Sequence, residues 1–113
     1  MEVKLIMKYL RLSADYSHLG LTAVGAGPVD VRSLDAPRGL VDDLEKWNAD
    51  YQPIIQMSRN ERASEGAQER IRSLDIRGMD LADRLASESA ESCKVEYYSE
   101  GLLRPVSRDY FER

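Results

Sequence analysis

Residues 58–88, SRNERASEGAQERIRSLDIRGMDLADRLASE, decide the reading of the fold. Ser58 and Glu61 stand in the S-x-x-E spacing of a capping box, in which each side chain satisfies the other's orphan amide, so a helix is expected to open there. Ala63, Ala67, Ile71, Leu74, Gly78, Leu81 and Leu85 then recur at steps of 4 and 3, one apolar stripe that carries the helix to about residue 88. Its small members at 63, 67 and 78 allow a neighbouring element to approach closely. Arg62–Glu65, Glu69–Arg72, Asp80–Arg84 and Arg84–Glu88 are spaced for surface ion pairs worth a few tenths of a kcal/mol each.

Reading upstream, Leu40, Leu44, Trp47 and Tyr51 form a second stripe. Its helix is expected to start near residues 35–37, with an aspartate as cap and Pro37 in the first turn. It should stop at or just before Gln52, because Pro53 disfavours helical backbone at the residue before it. Outside these two helices the period changes to 2. Residues 2–12 alternate, with Val3, Leu5, Met7 and Tyr9 on one face and Lys4, Ile6, Lys8 and Leu10 on the other, as in a half-buried strand. Residues 18–24 fit a second, antiparallel strand, Gly25-Ala26-Gly27-Pro28 a turn, and residues 29–32 a short edge strand. Residues 94–99 alternate again as a returning strand, which sends Tyr97 and Tyr98 to opposite faces.

The expected order is therefore β-β-(β)-α-α-β. Helices bunched between strands point to an α+β two-layer sandwich: a small antiparallel or mixed sheet with two helices packed on one face. With 113 residues the chain suits one domain, taken as residues 1–106, with 107–113 as a polar C-terminal tail. Hydrophobic residues at 42% and charged residues at 32% place it among globular sequences rather than disordered ones.

Charge and composition exclude several classes. Lys and Arg number 16 against 20 Asp and Glu, and the net −4 is divided evenly between the two halves, so no basic stripe for nucleic acid is visible. Only 4 of the basic residues are lysine, which argues against a polybasic membrane anchor. The N-terminus has charges at Glu2, Lys4 and Lys8 and no apolar run long enough for a signal-peptide core or a membrane span, and the unpaired Cys93 suits a reducing compartment, so a cytoplasmic location is expected. With one cysteine and one histidine, neither a disulfide framework nor a multi-Cys or multi-His metal site can form, and no cofactor is expected.

His18 with Cys93 is the most tempting catalytic pair, since a nucleophilic thiol needs a base or cation beside it. The plainer reading makes His18 a loop residue and Cys93 a small filler at a strand entrance. Asp42, Asp43, Glu61, Glu65, Asp80 and Asp83 offer carboxylate pairs, but they are interleaved with basic residues as on ordinary solvated helix faces. The glycines at 25 and 27 lack both the third glycine of a dinucleotide loop and the Gly-Lys-Ser/Thr of a phosphate loop. Trp47 and Tyr51, sharing a buried stripe, are core anchors. Ile76 and Met79 lie opposite the Leu74–Leu81–Leu85 stripe, on what should be the wet face. Either the apolar Leu102, Leu103 and Val106 cover them or they form a partner surface or homodimer seam.

Two stretches, L-x-x-x-L-x-x-W-x-x-x-Y at Leu40, Leu44, Trp47 and Tyr51, and R-G-x-x-L-A-x-x-L at Arg77, Gly78, Leu81, Ala82 and Leu85 followed by V-x-Y-Y at Val95, Tyr97 and Tyr98, resemble a group of small bacterial proteins common in actinobacteria. The group is similar to the acidic α+β immunity factors encoded beside secreted toxins. That resemblance implies a protein without an active site that covers a toxin surface. The expectation is a non-enzymatic protein-binding module of the immunity type, meeting a basic partner through Asp42, Asp43, Asp50, Glu61 and Glu65, with Ile76 and Met79 as apolar contacts. The alternative is a small hydrolase or transferase using His18 with Cys93 or a carboxylate.

Overall fold

The structure is a computed structural model and describes residues 8–16, 18–90 and 92–111, with only the backbone of Tyr110 and Phe111. Its strands are β1 (Lys8–Ser13), β2 (Gly20–Ala23), β3 (Gly27–Pro28), β4 (Cys93–Ser99) and β5 (Arg104–Pro105). They form one five-stranded sheet in the order β3-β2-β1-β4-β5. The β1–β4 pair is parallel and the other three pairs are antiparallel. Parallel neighbours need a long crossover rather than a hairpin. Between β1 and β4 that crossover contains the helices α1 (Arg38–Ile55), α2 (Arg59–Arg62) and α3 (Glu65–Glu88), and a last turn, α4 (Arg108–Phe111), follows β5. The α+β sandwich with a mixed sheet is the architecture the pattern implied.

The part of the first strand over residues 2–7 lies outside the described residues. In the described part, Leu10 and Leu12 are buried and Tyr9 is exposed, so the core takes the even face. The edge strand expected at residues 29–32 does not form. Asp30 Oδ1 accepts the Arg32 amide at 2.9 Å and caps a 3-10 turn, Val31–Leu34, which buries Val31 and Leu34. The third strand is instead Gly27–Pro28, reached by a turn in which Gly25 and Gly27 adopt φ +83° and +99°, values open to glycine at no steric cost. Asp35 terminates the 3-10 turn with φ +51°, and α1 starts only at Arg38, with Pro37 at the cap position and no side-chain cap.

Two helix boundaries differ from expectation. α1 runs through Pro53 to Ile55. The proline forfeits one amide bond, but the extra turn buries Ile54 completely, and the Gln56 amide resumes the ladder by donating to the Gln52 carbonyl at 3.1 Å. The Ser58–Glu61 capping box is present, with both reciprocal bonds, but it opens only the four residues of α2. Ser64 then accepts the Ala67 amide and restarts the chain as α3, so Ala63 lies on the surface rather than in the stripe.

The core lies between the sheet and the α1/α3 layer. Leu40, Leu44, Trp47 and Tyr51 are fully buried, with Trp47 and Tyr51 in an edge-on contact of 5.7 Å between ring centroids. Tyr97 points into this core from β4 and lies 5.9 Å from Trp47, whereas Tyr98 is half-buried on the opposite face of the sheet. Gly78 is where α3 approaches most closely. A β-carbon there would lie 2.4 Å from Tyr97 Cε1 and 2.7 Å from Trp47 Cζ2.

Candidate functional site

The lone imidazole and the lone thiol are at opposite ends of the sheet. Cys93 pairs with Lys8 at the start of β1, and Gly20, two residues after His18, pairs with Ser13 at its end. Five residue steps at about 3.3 Å give roughly 16 Å between those rungs. Cys93 is buried, its Sγ 3.3 Å from the Ser89 hydroxyl. The dyad expected as an alternative is therefore not assembled, because the strands that carry its two members run them apart. His18 instead lines a surface cleft of about 450 Å³ with Asp30, Arg32, Glu45 and Asn48 among others. Arg32 and Glu45 face each other there at 3.2 Å.

The carboxylates proposed for partner contact are on the outer helix layer, and arginines engage several of them. Asp43 accepts from Arg84 at 3.0 Å, and Arg84 also holds Glu88 at 2.8 Å. Asp50 accepts from Arg77 at 2.8 Å. These pairs tie α1 to α3 across their outer seam, and because they are about half exposed each contributes little. Glu61 is used by the capping box, where the Ser58 amide and hydroxyl hold its carboxyl below the usual carboxylate range. Asp42 and Glu65 are exposed. Summed along α1 and α3, with the buried Asp75 left out, nine acidic residues stand against six basic ones, a net −3 in the outer helix layer.

Ile76 and Met79 do not share a patch. Ile76 is 37% exposed, but Met79 is only 5% exposed. It lines a groove with Ala82, Val95 and Val106, and the C-terminal segment is fastened beside it by Arg108, whose guanidinium contacts Asp80 and Asp83 at 2.6 Å each.

One group that pattern reading passed over lies at the centre of the molecule. Asp75, on α3, is fully buried, and its carboxylate accepts three hydroxyls: Tyr51 at 2.9 Å, Tyr97 at 2.6 Å and Ser99 at 2.6 Å. The Gly101 amide donates to the Tyr51 oxygen at 2.8 Å and the Leu102 amide to the Ser99 oxygen at 3.0 Å. Those two hydroxyl protons are thereby directed at Asp75. Burial pushes the Asp75 carboxyl above its ordinary value, and the Ser99, Tyr97 and Tyr51 hydroxyls pull it back. The same burial, with the neighbouring carboxylate, raises both tyrosines. Asp75 was findable: it follows Ile71 by four and precedes Gly78 by three, a stripe position where a charged residue requires partners.

Residues 8–100, 93 of the 113, match the family model described as Serratia CdiI immunity protein-like. The chain belongs to that family. No curated protein matches it. The CdiI-like span contains the whole α1/α3 layer, β1 to β4, and every side chain of the Asp75 network. The two backbone donors of that network, Gly101 and Leu102, follow directly after the span, as do β5, α4 and Arg108. No helix among the described residues is long and apolar enough to cross a membrane.

Proposed function

We propose that this chain is a toxin-neutralising module that acts by covering the surface of a cognate toxin, and that the toxin presents basic groups to its helix layer. The observation that supports this most is the match to immunity proteins over residues 8–100. The net −3 that α1 and α3 carry apart from the buried Asp75 supports the polarity assigned to the partner. In this reading Asp42, Asp43, Asp50, Glu61 and Glu65 steer the encounter, and Ile76, the exposed apolar residue of α3, supplies a contact within the acidic surround. Met79, being buried, takes no part. Long-range attraction of this kind raises the association rate more than it slows dissociation.

The test takes the product of the reading frame adjacent to this chain's as the candidate toxin. Co-expression should restore growth to cells producing that toxin, and the two proteins should co-elute. Loss of rescue together with absence of a complex would refute the neutralising role. For the polarity, the double reversal Asp43→Lys and Asp50→Lys should slow association about tenfold or more at low salt and flatten its dependence on ionic strength. Unchanged kinetics in a variant that still rescues growth would move the contact to another face.

A further inference from the structure

Every polar side-chain atom of the buried Asp75 and Ser99 is bonded within the molecule. Asn48, on α1 and only 4% exposed, is different. Its Oδ1 accepts the Asp15 amide at 2.9 Å, which fixes which way round the side-chain amide lies. Its Nδ2 then has no hydrogen-bond partner among the described residues. No fully enclosed side-chain nitrogen among those residues is left unpaired, so Nδ2 opens on the surface that Asn48 lines. That surface is the cleft of about 450 Å³ between α1 and residues 18–32. Leu19, Val29 and Val31 supply its apolar lining. Asp30 spends one carboxylate oxygen on the Arg32 amide, and Glu45 spends one on the Arg32 guanidinium at 3.2 Å. The second oxygen of each has no partner among the described residues. Glu45 and Asn48 are three residues apart on α1, so their side chains are neighbours on one helix face. With His18 counted neutral, Asp30, Arg32 and Glu45 give the cleft a net −1.

We infer that this cleft receives an extended segment of the protein partner in which an apolar residue adjoins a basic one. A main-chain carbonyl of the segment would accept from Asn48 Nδ2. The apolar side chain would lie on Leu19, Val29 and Val31, and the cation would meet the open oxygens of Glu45 and Asp30. The lining groups select against other occupants. A buried donor needs an acceptor, so a hydrocarbon chain in the cleft would strand it. A carboxylate or a phosphate would satisfy the donor but would bring negative charge to a −1 cleft in a chain of net −4, which disfavours acidic ligands and nucleic acid alike. A second copy, itself of net −4, meets the same repulsion. A peptide group beside a cationic side chain offers the acceptor and the positive charge together, and a protein partner is what membership of the immunity family implies. The inference deepens the toxin-neutralising reading, on which it rests for the source of the segment.

The test titrates the full ¹⁵N-labelled chain with acetyl-Gly-Leu-Arg-Gly-amide, following the main-chain amides and the side-chain NH₂ pair of Asn48. Amides of residues 18–19, 29–32 and 45–48 should shift, and the Asn48 pair should move downfield as it gains an acceptor. Replacing the peptide's arginine by glutamate should weaken binding about three- to tenfold, and Glu45→Gln should narrow that difference. Asn48→Asp keeps the acceptor for the Asp15 amide but turns an oxygen toward the carbonyl. The uncharged acetyl-Gly-Leu-Gly-Gly-amide should therefore bind that variant about tenfold more weakly than wild type. Spectral dispersion and the Asp15 amide shift report whether each variant is folded with its loop anchored, and the wild-type Asn48 pair and the Glu45→Gln arm decide the matter if Asn48→Asp is not. Four results would overturn the inference: shifts absent or mapping elsewhere, an unmoved Asn48 pair, a glutamate peptide bound as tightly as the arginine one, or a preference unchanged by Glu45→Gln. So would cleft shifts that grow with protein concentration alone, which would assign the cleft to a second copy. Peptide binding here without growth rescue by the wild type sinks only the neutralising role, whereas rescue without peptide shifts sinks only this inference.

Discussion

Replacing Asp75 by alanine removes the one acceptor shared by three buried hydroxyls, those of Tyr51, Tyr97 and Ser99. The Gly101 and Leu102 amides already occupy one acceptor site on the Tyr51 and Ser99 oxygens, so without Asp75 the three hydroxyls are left to donate to one another. At about 1–3 kcal/mol for each stranded buried donor, less the desolvation relieved when the carboxylate goes, the expected net loss is roughly 3–4 kcal/mol. That is a large share of the ~5–15 kcal/mol available to a domain of this size, and it should lower Tm by roughly 10–20 °C. Urea unfolding followed by fluorescence of Trp47, the only tryptophan, reads the right region, since its indole donates to the carbonyl of Leu74 next to Asp75. Asp75→Asn separates charge from shape. Its oxygen can serve two hydroxyls but its nitrogen cannot accept the third, so the loss should be smaller, about 1–2 kcal/mol. The pH profile supplies an independent check. Because burial raises the Asp75 carboxyl, the folded chain keeps this proton to a higher pH than the unfolded chain does. The associated stability is complete below the ordinary aspartate range and is lost as pH rises through the folded value. Glu100, raised by burial, acts in the same sense, while Glu61, lowered by its cap, contributes above its unfolded value and is lost on acidification. Both are common to wild type and Asp75→Asn, so the difference between the two profiles isolates Asp75. An alanine variant losing less than about 1 kcal/mol, or two superimposable pH profiles, would refute this account.

Two further substitutions probe the packing around that centre. Gly78→Ala should destabilise by about 1–3 kcal/mol despite alanine's better helix propensity, because the new methyl meets two rings that are themselves fully packed; thermal unfolding and the near-ultraviolet signal of Trp47 would show it. Arg62 donates to the carbonyls of Ile55, Met57 and Glu100 at 3.1, 3.2 and 2.8 Å, joining the end of α1 to the turn after β4. Arg62→Lys should lose about 1–2 kcal/mol and speed amide exchange in residues 99–102, since a single ammonium cannot span the three acceptors, and retention of wild-type exchange there would refute the clamp.

Much of the fold was readable because its driving force is local and periodic. The four residues of the α1 stripe are all fully buried, and the alternation of residues 94–99 sends Tyr97 inward and Tyr98 outward as the period requires. The readings that failed are those in which tertiary packing outweighs a local rule. Pro53 should end a helix, yet burial of Ile54 carries α1 past it. A capping box should open a long helix, yet Ser64 offers a second cap six residues later and the chain restarts there. At the candidate site, sequence spacing could identify the carboxylates of α1 but not their arginine partners. Arg77 and Arg84 are 27 and 41 residues from Asp50 and Asp43, and only the packing of the two helices brings them together. The core around Asp75 escaped for a related reason, as its three hydroxyl donors come from α1 and β4 and no local window contains them.

How the polar groups are distributed decides where recognition can occur. Among the described residues no buried side-chain nitrogen or oxygen is without a hydrogen-bond partner. Asn48 accepts the Asp15 amide, Asp75 takes three hydroxyls, and Ser99 both donates and accepts. Interior polarity is therefore spent on holding the sheet, α1 and α3 in one arrangement, and a partner that disturbed it would have to replace bonds already well made. New bonds are open instead to groups at the surface, among them the exposed acids of the helix layer. The ion pairs among those acids are half solvated and cheap to exchange, so an incoming arginine could displace Arg77 from Asp50 at little cost. A rigid interior carrying an acidic helix layer needs no conformational change to meet a basic partner, and the association rate should then fall as ionic strength rises.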